Sequence, residues 1–392
     1  MAKETVPLRP PQAQKKRRFF YRETGFDMYF FVLLSIILVV GLATLYSASH
    51  VYAFNYNDGD SYYYIRKQLL FVVLGAIGML GASLVDYHVL HKFAWPAWLV
   101  SLVLLVVAYV MPSETGVHRW IRIPGIGQFQ PSELAKFALV LLFAHLISLN
   151  HKRMHKLTKG FLPLSTILGI TCVLVIIEPH LSGTMLIGLL GFALMYIGGV
   201  SVWWLLGVLG VGAAGIVFMI AVLGYERDRI EVWLKPLEVF SNGLAGRDQA
   251  WQTVQSLYAI GSGGLLGQGP GNSRQKHLFL PEPQNDFIFS IFCEEMGLIG
   301  AIAVIVLFAL LVWRGFAIGM RAPDKFGCIL AIGLTMQIGL QVALNIAVVS
   351  NLLPNTGISL PFFSYGGTSL FMLMTQMGVV LSVSRQARME KL

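Results

Sequence analysis

The sequence predicts an all-α, polytopic membrane protein with about ten transmembrane helices and one long extracytoplasmic loop between helices 7 and 8. Three observations predict it. Mean hydropathy is +0.67, with 56% of the 392 residues apolar and only 12% charged. The apolar residues gather into runs of about 18 to 25, the length that crosses a bilayer core. Lys and Arg concentrate in alternate connecting segments, the bias that sets membrane orientation.

The runs fall at roughly 28–48, 67–85, 93–111, 132–149, 161–177, 184–200, 202–224, 287–313, 326–350 and 365–384. Backbone groups in lipid must be satisfied internally, so each run is expected to be helical. The sixth and seventh are separated only by "GGVS". The first run exceeds the core of a signal peptide, roughly 7 to 15 residues, and reads as a span. Residues 1–22, rich in Pro, Lys and Arg, read as a disordered tail. With that tail in the cytoplasm, "HKRMHKLTK" (151–159), "RGFAIGMRAPDK" (314–325) and the C-tail 385–392 share its side. This places 18 of the 29 Lys and Arg residues inside and 11 outside, six of the latter in one long loop. Both termini are therefore expected in the cytoplasm, flanking a membrane domain at 23–384.

The net charge of +9 follows from this topology bias. No basic stretch interleaves with aromatics as single-strand nucleic-acid binders require, so no nucleic-acid partner is expected, whereas membrane lipid is. Cys172, Cys293 and Cys328 lie within apolar runs, with neither metal-ligand spacing nor a disulfide framework, and read as buried free thiols.

The loop at 225–286 is far longer than an ordinary connection and is expected to be functional. Within it, "EVWLKPLEVF" and "WQTVQSLYAI" are amphipathic and read as short helices at the membrane surface. The glycines of "GSGGLLGQGPGNSRQKH" suit either a flexible loop or close backbone approach to a phosphate.

Four carboxylates crowd "PEPQNDFIFSIFCEE": Glu282, Asp286, Glu294 and Glu295. Its prolines bias against an earlier helix start, so helix 8 is expected to begin at Asn285 as N-cap with Asp286 in the first turn. Asp286 then has two readings. It could simply complement the helix dipole, worth roughly 0.3–1 kcal/mol. Alternatively, a lone carboxylate at the outer interface suits a general base that activates a sugar hydroxyl against a lipid-linked donor. Glu294 and Glu295 lie about 12 to 13.5 Å farther along a helix. That excludes the close carboxylate pair of a retaining glycosidase, about 5–5.5 Å apart. They read as buried pairing groups, and Glu282 as part of the turn.

A departing diphosphate needs cations. Arg119, Arg122, Arg227, Arg229, Arg247, Arg274 and Lys276 stand in the outer loops, each either a headgroup anchor or a substrate contact. Lys136 follows Glu133 by three residues on one helical face, which suits a mutual ion pair or a charged cavity. A divalent cation could help the diphosphate leave, although no acid cluster specifies one.

"FQPSELAK" (129–136), "RQKHLFLPEPQNDFIFSIFCEEMG" (274–297) and "LPFFSYGGTSL" (360–370) resemble signatures of the SEDS family (shape, elongation, division, sporulation). The likeness runs from "YSAS" to the final "VSR". It implies ten helices with cytoplasmic termini and a peptidoglycan glycosyltransferase that polymerises lipid II on the outer face of the cytoplasmic membrane. The implied partners are a class B penicillin-binding protein and other division proteins. Carried over by position, the essential aspartate falls on Asp286. The substrate-binding residues fall on Trp120, Glu133, Lys136, Arg227, Arg229, Arg274 and Lys276. "EPHLSGT" departs from the family's Gln-Pro-Asp-Leu-Gly-Thr, placing His180 where an acid is usual. Asn285 replaces the usual Thr, and "LPNTGISLP" lacks a lysine common in division-type members. "RQKHLFLPEPQ" favours the division and sporulation branch (FtsW and SpoVE) over the RodA branch. Two other functions suit such a chain. A lipid-precursor flippase would need charges along a transbilayer path, and a non-catalytic division scaffold would leave Asp286 dispensable.

Overall fold

A computed structural model describes residues 25–111, 119–123, 127–178, 180–221 and 227–389. Each apolar run becomes a helix: α1 (Met28–Tyr56), α2 (Tyr63–Leu84), α3 (Leu90–Val110), α4 (Pro131–Asn150), α5 (Leu162–Ile177), α6 (Leu181–Ile197) and α7 (Val202–Ala221). After the long loop come α11 (Ile288–Met320), α12 (Lys325–Val349) and α13 (Gly367–Met389). Eight of these ten are long and apolar enough to span a bilayer by themselves, α6 is a shorter apolar helix of 17 residues, and α7 has 20. The α4, α12 and α13 helices are the most deeply buried and make the centre of the bundle, while α1, α2, α3 and α5 turn most of their surface outward. A two-stranded hairpin, β1 (Ile121–Ile123) with β2 (Gly127–Phe129), precedes α4.

The long loop carries the expected amphipathic helices, divided by Pro236: α8 (Arg227–Leu234), α9 (Pro236–Ser241) and α10 (Gly243–Ser262). Proline opens α9 because its missing N–H costs nothing at a first helical turn.

The first and last described segments meet at one end of the bundle. The Asp27 N–H donates to Ser384 Oγ, its carboxylate caps α1 at Phe30 N, and Arg314 near the end of α11 donates to both carboxylate oxygens at 3.1 and 2.7 Å. Asp286 lies beyond the opposite end of α11. The α13 helix runs on through Met389, into the segment read as the C-tail.

The α11 helix departs from a simple span in two ways. It is broken at Gly297, whose φ of 65° and ψ of −170° are non-helical. The Gly-rich stretch after α10 fills the break. Gln268 N and Gly269 N donate to the carbonyls of Glu294 and Glu295, and Leu298 N and Ile299 N donate to Gly264 O and Leu265 O. Backbone groups freed by the break are thus satisfied by another segment, as a low-dielectric setting demands. A side chain at Gly297 would meet Gly267 N at 2.3 Å as well as the positive φ. These glycines therefore serve chain packing and do not form a flexible loop. The uninterrupted part, residues 298–320, is about 34 Å long, enough to cross a bilayer core of about 30 Å by itself.

The second departure is the helix start. Asn285 does not cap α11, and Asp286 is not in its first turn. The helix begins at Ile288, and Phe287 precedes it without a side-chain cap. Long-range partners hold the carbonyls of Gln284, Asn285 and Asp286 and keep those residues out of the helix. Among the cysteines, all free, Cys293 is buried while Cys172 and Cys328 are only half-buried.

Candidate active site

Asp286 is seated by its backbone. Tyr365 N donates to Gln284 O at 2.8 Å, Ser364 Oγ to Asn285 O at 2.8 Å, and Asn345 Nδ2 to Asp286 O at 2.7 Å. The same Asn345 amide also donates to Ile358 O at 2.6 Å, tying α12 to the segment before α13. Gln68 of α2 braces the Ser364–Gly366 turn from behind, donating to Ser364 O and accepting from Gly366 N. The "SYGG" motif therefore works as a clamp on the turn-rich approach to Asp286.

The Asp286 side chain is half-buried and, among the described residues, accepts no hydrogen bond. It rests against Gly357, where a Cβ would lie 3.1 Å from Oδ2. Gly357 also has φ of +72°, so it supplies both the turn and the space. Glu282, exposed in a left-handed turn, accepts from Asn285 Nδ2 at 2.8 Å, the turn role expected of it. Burial pushes the Asp286 carboxyl up to about 6, Arg119 opposes the shift, and Glu282 adds to it.

Arg119, one of the outer-loop cations that the sequence offers, is the one that acts on Asp286, although the family resemblance singles out its neighbour Trp120. Trp120, half-buried, directly follows it. The Arg119 guanidinium is itself depressed by burial, supported by Asp286 and Glu178, and opposed by Arg229. Its place beside Trp120, in "HRW", was the available signal. Arg229, exposed on α8, donates to Asn355 O at 3.5 Å. The Arg227 side chain lies outside the described residues.

Deeper in the bundle, Lys136 donates to Glu133 Oε1 at 2.7 Å and to Gln341 Oε1 at 3.3 Å. This is the i,i+3 pair that the spacing predicts. Glu133 Oε2 and Ser132 Oγ are buried without a hydrogen-bond partner among the described residues. The His180 imidazole is pressed down to about 3 by burial, with Arg119 and Lys136 adding to the effect. Arg119, Asp286, Arg229, His180 and Lys136 thus act on one another as a connected electrostatic cluster.

Lys276 and Arg274 stand apart from it. Lys276 is fully buried and donates to Glu295 Oε1 at 3.1 Å, Ser47 Oγ at 3.1 Å and Gly271 O at 2.5 Å. Every proton of the ammonium is used in fastening the Gly-rich stretch to α1 and α11. Glu294 is equally enclosed, accepting from Ser273 Oγ and from the N–H groups of Arg274 and Gln275. The exposed Arg274 side chain edges a recess of about 460 Å³, whose lining also includes Tyr258, Gln268 and Glu294 but not Asp286. Glu294 and Glu295 are therefore structural, as their spacing suggested. Among the described residues, no three His, Cys, Asp or Glu side chains converge to hold a metal ion.

A family model described as "Cell cycle protein", FtsW/RodA/SpoVE, matches residues 27–389. The chain belongs to that family. It is 36% identical over 371 residues to "Probable peptidoglycan glycosyltransferase FtsW" of Geobacter sp. (strain M18), covering 94% of this chain and 99% of the relative. It is also 36% identical to "Stage V sporulation protein E" of Bacillus subtilis (strain 168), with the same coverage. Among solved structures, it resembles a chain from a study of polymerization and crosslinking by a peptidoglycan synthase complex. That match has a TM-score of 0.74 and 24% identity, and covers 92% of this chain and 98% of that one. RodA of Thermus thermophilus matches with a TM-score of 0.65 and 24% identity, covering 92% and 97%. These two likenesses establish the shared fold.

Proposed function

We propose that this protein is an inverting peptidoglycan glycosyltransferase that polymerises lipid II on the outer face of the bacterial cytoplasmic membrane. One observation carries the reading most directly: Asp286 is held by its backbone, spared any capping role, and left with a carboxylate that accepts no hydrogen bond among the described residues. Its range near neutrality suits a general base. Asp286 takes the proton from the 4-hydroxyl of the acceptor N-acetylglucosamine. That oxygen bonds to C1 of the donor muramyl unit as the bond from C1 to the phosphate oxygen breaks. The electron pair leaves with undecaprenyl diphosphate, and one displacement on an α-linked donor yields the β-1,4 bond.

Arg119, Arg229 and Lys136 supply the positive charge that stabilises the leaving diphosphate. Lys276 and Arg274, expected to share this task, are assigned no part in it, because the first is consumed by Glu295 and the second borders a different recess. The Lys and Arg bias puts both chain ends in the cytoplasm and Asp286 outside. The relative's placement in a polymerization and crosslinking complex supports a class B penicillin-binding protein as partner.

The test is reconstitution of the purified protein with its partner and lipid II, comparing the parent with Asp286→Asn. Glycan strands from the parent and none from a folded variant are expected. Lipid translocation without polymer would replace this reading with a flippase, and equal polymer from both would remove Asp286 from the chemistry.

A further inference from the structure

Glu178 ends α5 as the chain turns toward α6, and it is fully buried. Neither of its carboxyl oxygens has a hydrogen-bond partner among the described residues. An ionised carboxylate in that condition is among the costliest arrangements a fold can hold, so the group calls for a reason. Its surroundings supply one. On the same turn, His180 lies over the start of α6, where a Cβ at Gly183 would come within 2.6 Å of Nδ1. His180 Nδ1 and Ser182 Oγ are buried and also lack partners among the described residues. Facing them is Arg119, the cation that acts on Glu178 and on Asp286 alike.

We propose that Glu178 is a positioning residue of the site, a proton-bearing carboxyl group that leaves the Arg119 charge to Asp286 and the departing diphosphate. The proposal rests on the polymerase reading above. Arg119 is the charged group that acts on Glu178 directly, and the others act on Arg119, His180 or Asp286. Arg119 comes from the segment before the hairpin, and the Glu133–Lys136 pair from α4. His180 sits on the same turn, Asp286 and Glu282 precede α11, and Arg229 comes from α8. Burial dominates and pushes Glu178 up to about 8, with Arg119 opposing. Below that pH the group is neutral and makes no demand on the guanidinium. Above it, a new carboxylate competes for Arg119, and the net positive charge facing a diphosphate falls by one.

The experiment is the pH dependence of lipid II polymerisation by the full-length protein with its partner, for the parent, E178Q and E178D, each checked by thermal melting. The parent's kcat/KM should fall about tenfold per pH unit above about 8. Glutamine, which mimics the protonated acid at every pH, should abolish that fall, and aspartate should restore it. An alkaline fall unchanged in E178Q overturns the proposal. So does an E178Q that melts like the parent yet is inactive at pH 7, since the ionised form would then be the one required. Infrared difference spectroscopy gives a readout independent of turnover. A protonated-carboxyl stretch should be present in the parent at pH 7, lost in E178Q, and titrate away near pH 8. Absence of that band overturns the Glu178 assignment. Its presence in a protein that makes no polymer supports the assignment and condemns only the polymerase reading.

Discussion

The two ends of the bundle treat buried charge in opposite ways. Where the first and last described segments meet, Asp27 receives both Arg314 donors. Asp86 accepts from His88 and Gln386, and Asp324 binds His88, Tyr87 and the N–H of Gly327. At the Asp286 end, the carboxyl oxygens of Glu178, one oxygen of Glu133, Nδ1 of His180 and Nε of Arg119 are buried without hydrogen-bond partners among the described residues. Native proteins rarely leave such groups unpaired, so the contrast separates a region selected for stability from one that keeps its polar capacity for something else. A third cluster, Lys276 with Glu295 and Ser47, belongs with the first kind although it lies on the loop side.

Breaking these groups one at a time sharpens the contrast. The largest effect on rate is expected from Asp286→Asn, a loss on the order of 10²–10⁴ in kcat/KM, measured by lipid II polymerisation. Its stability should move the other way. The folded protein holds the Asp286 carboxyl above its ordinary 3.8. The favoured form is therefore protonated, and stability present at low pH is lost as pH rises through about 6. Asn removes that penalty, so the variant should melt at or above the parent temperature at neutral pH, with the gap closing near pH 4.

Next comes Lys276→Met, which strands Glu295. It should cost about 3–5 kcal/mol of stability in denaturation experiments, as removing one member of a buried pair does. A fall in substrate affinity with unchanged stability would return Lys276 to the substrate site. Asn345→Ala, which releases the Asp286 carbonyl, should lower kcat about tenfold with a smaller change in KM, because misplacement by an ångström already costs rate. In the parent, kcat/KM should rise about tenfold per pH unit up to about 6, following Asp286, and stay level until the fall above about 8 that Glu178 sets. The smallest effect is expected for Arg274→Ala, within about 0.5 kcal/mol in stability and little in rate.

The apolar runs made the ten helices legible, since runs of that length and lack of charge have few other solutions. The signature motifs placed Asp286, and spacing alone found the Glu133–Lys136 pair. What stayed hidden depends on contacts distant in sequence. The start of α11 could not be read from its prolines, because Ser364, Tyr365 and Asn345 decide it from 59 to 81 residues away. Lys276 looked available because nothing local announces its bond to Glu295, 19 residues on, or to Ser47, 229 residues back. The break at Gly297 left a faint trace, a glycine following two acids in an apolar run, yet only the docked loop explains it. Glu178 stood in plain view in "EPHLSGT", in place of the family's Gln, yet a glutamate beside a proline is ordinary until its burial is seen.

The clamp on the carbonyls of residues 284–286 has a practical consequence. Because the fold grips that segment by its main chain, the carboxyl group proposed as the base can be silenced while its seat stays intact. An Asp286→Asn chain should then behave as a receptor that holds donor and acceptor together without consuming them, and so offer a standing ternary assembly for microscopy.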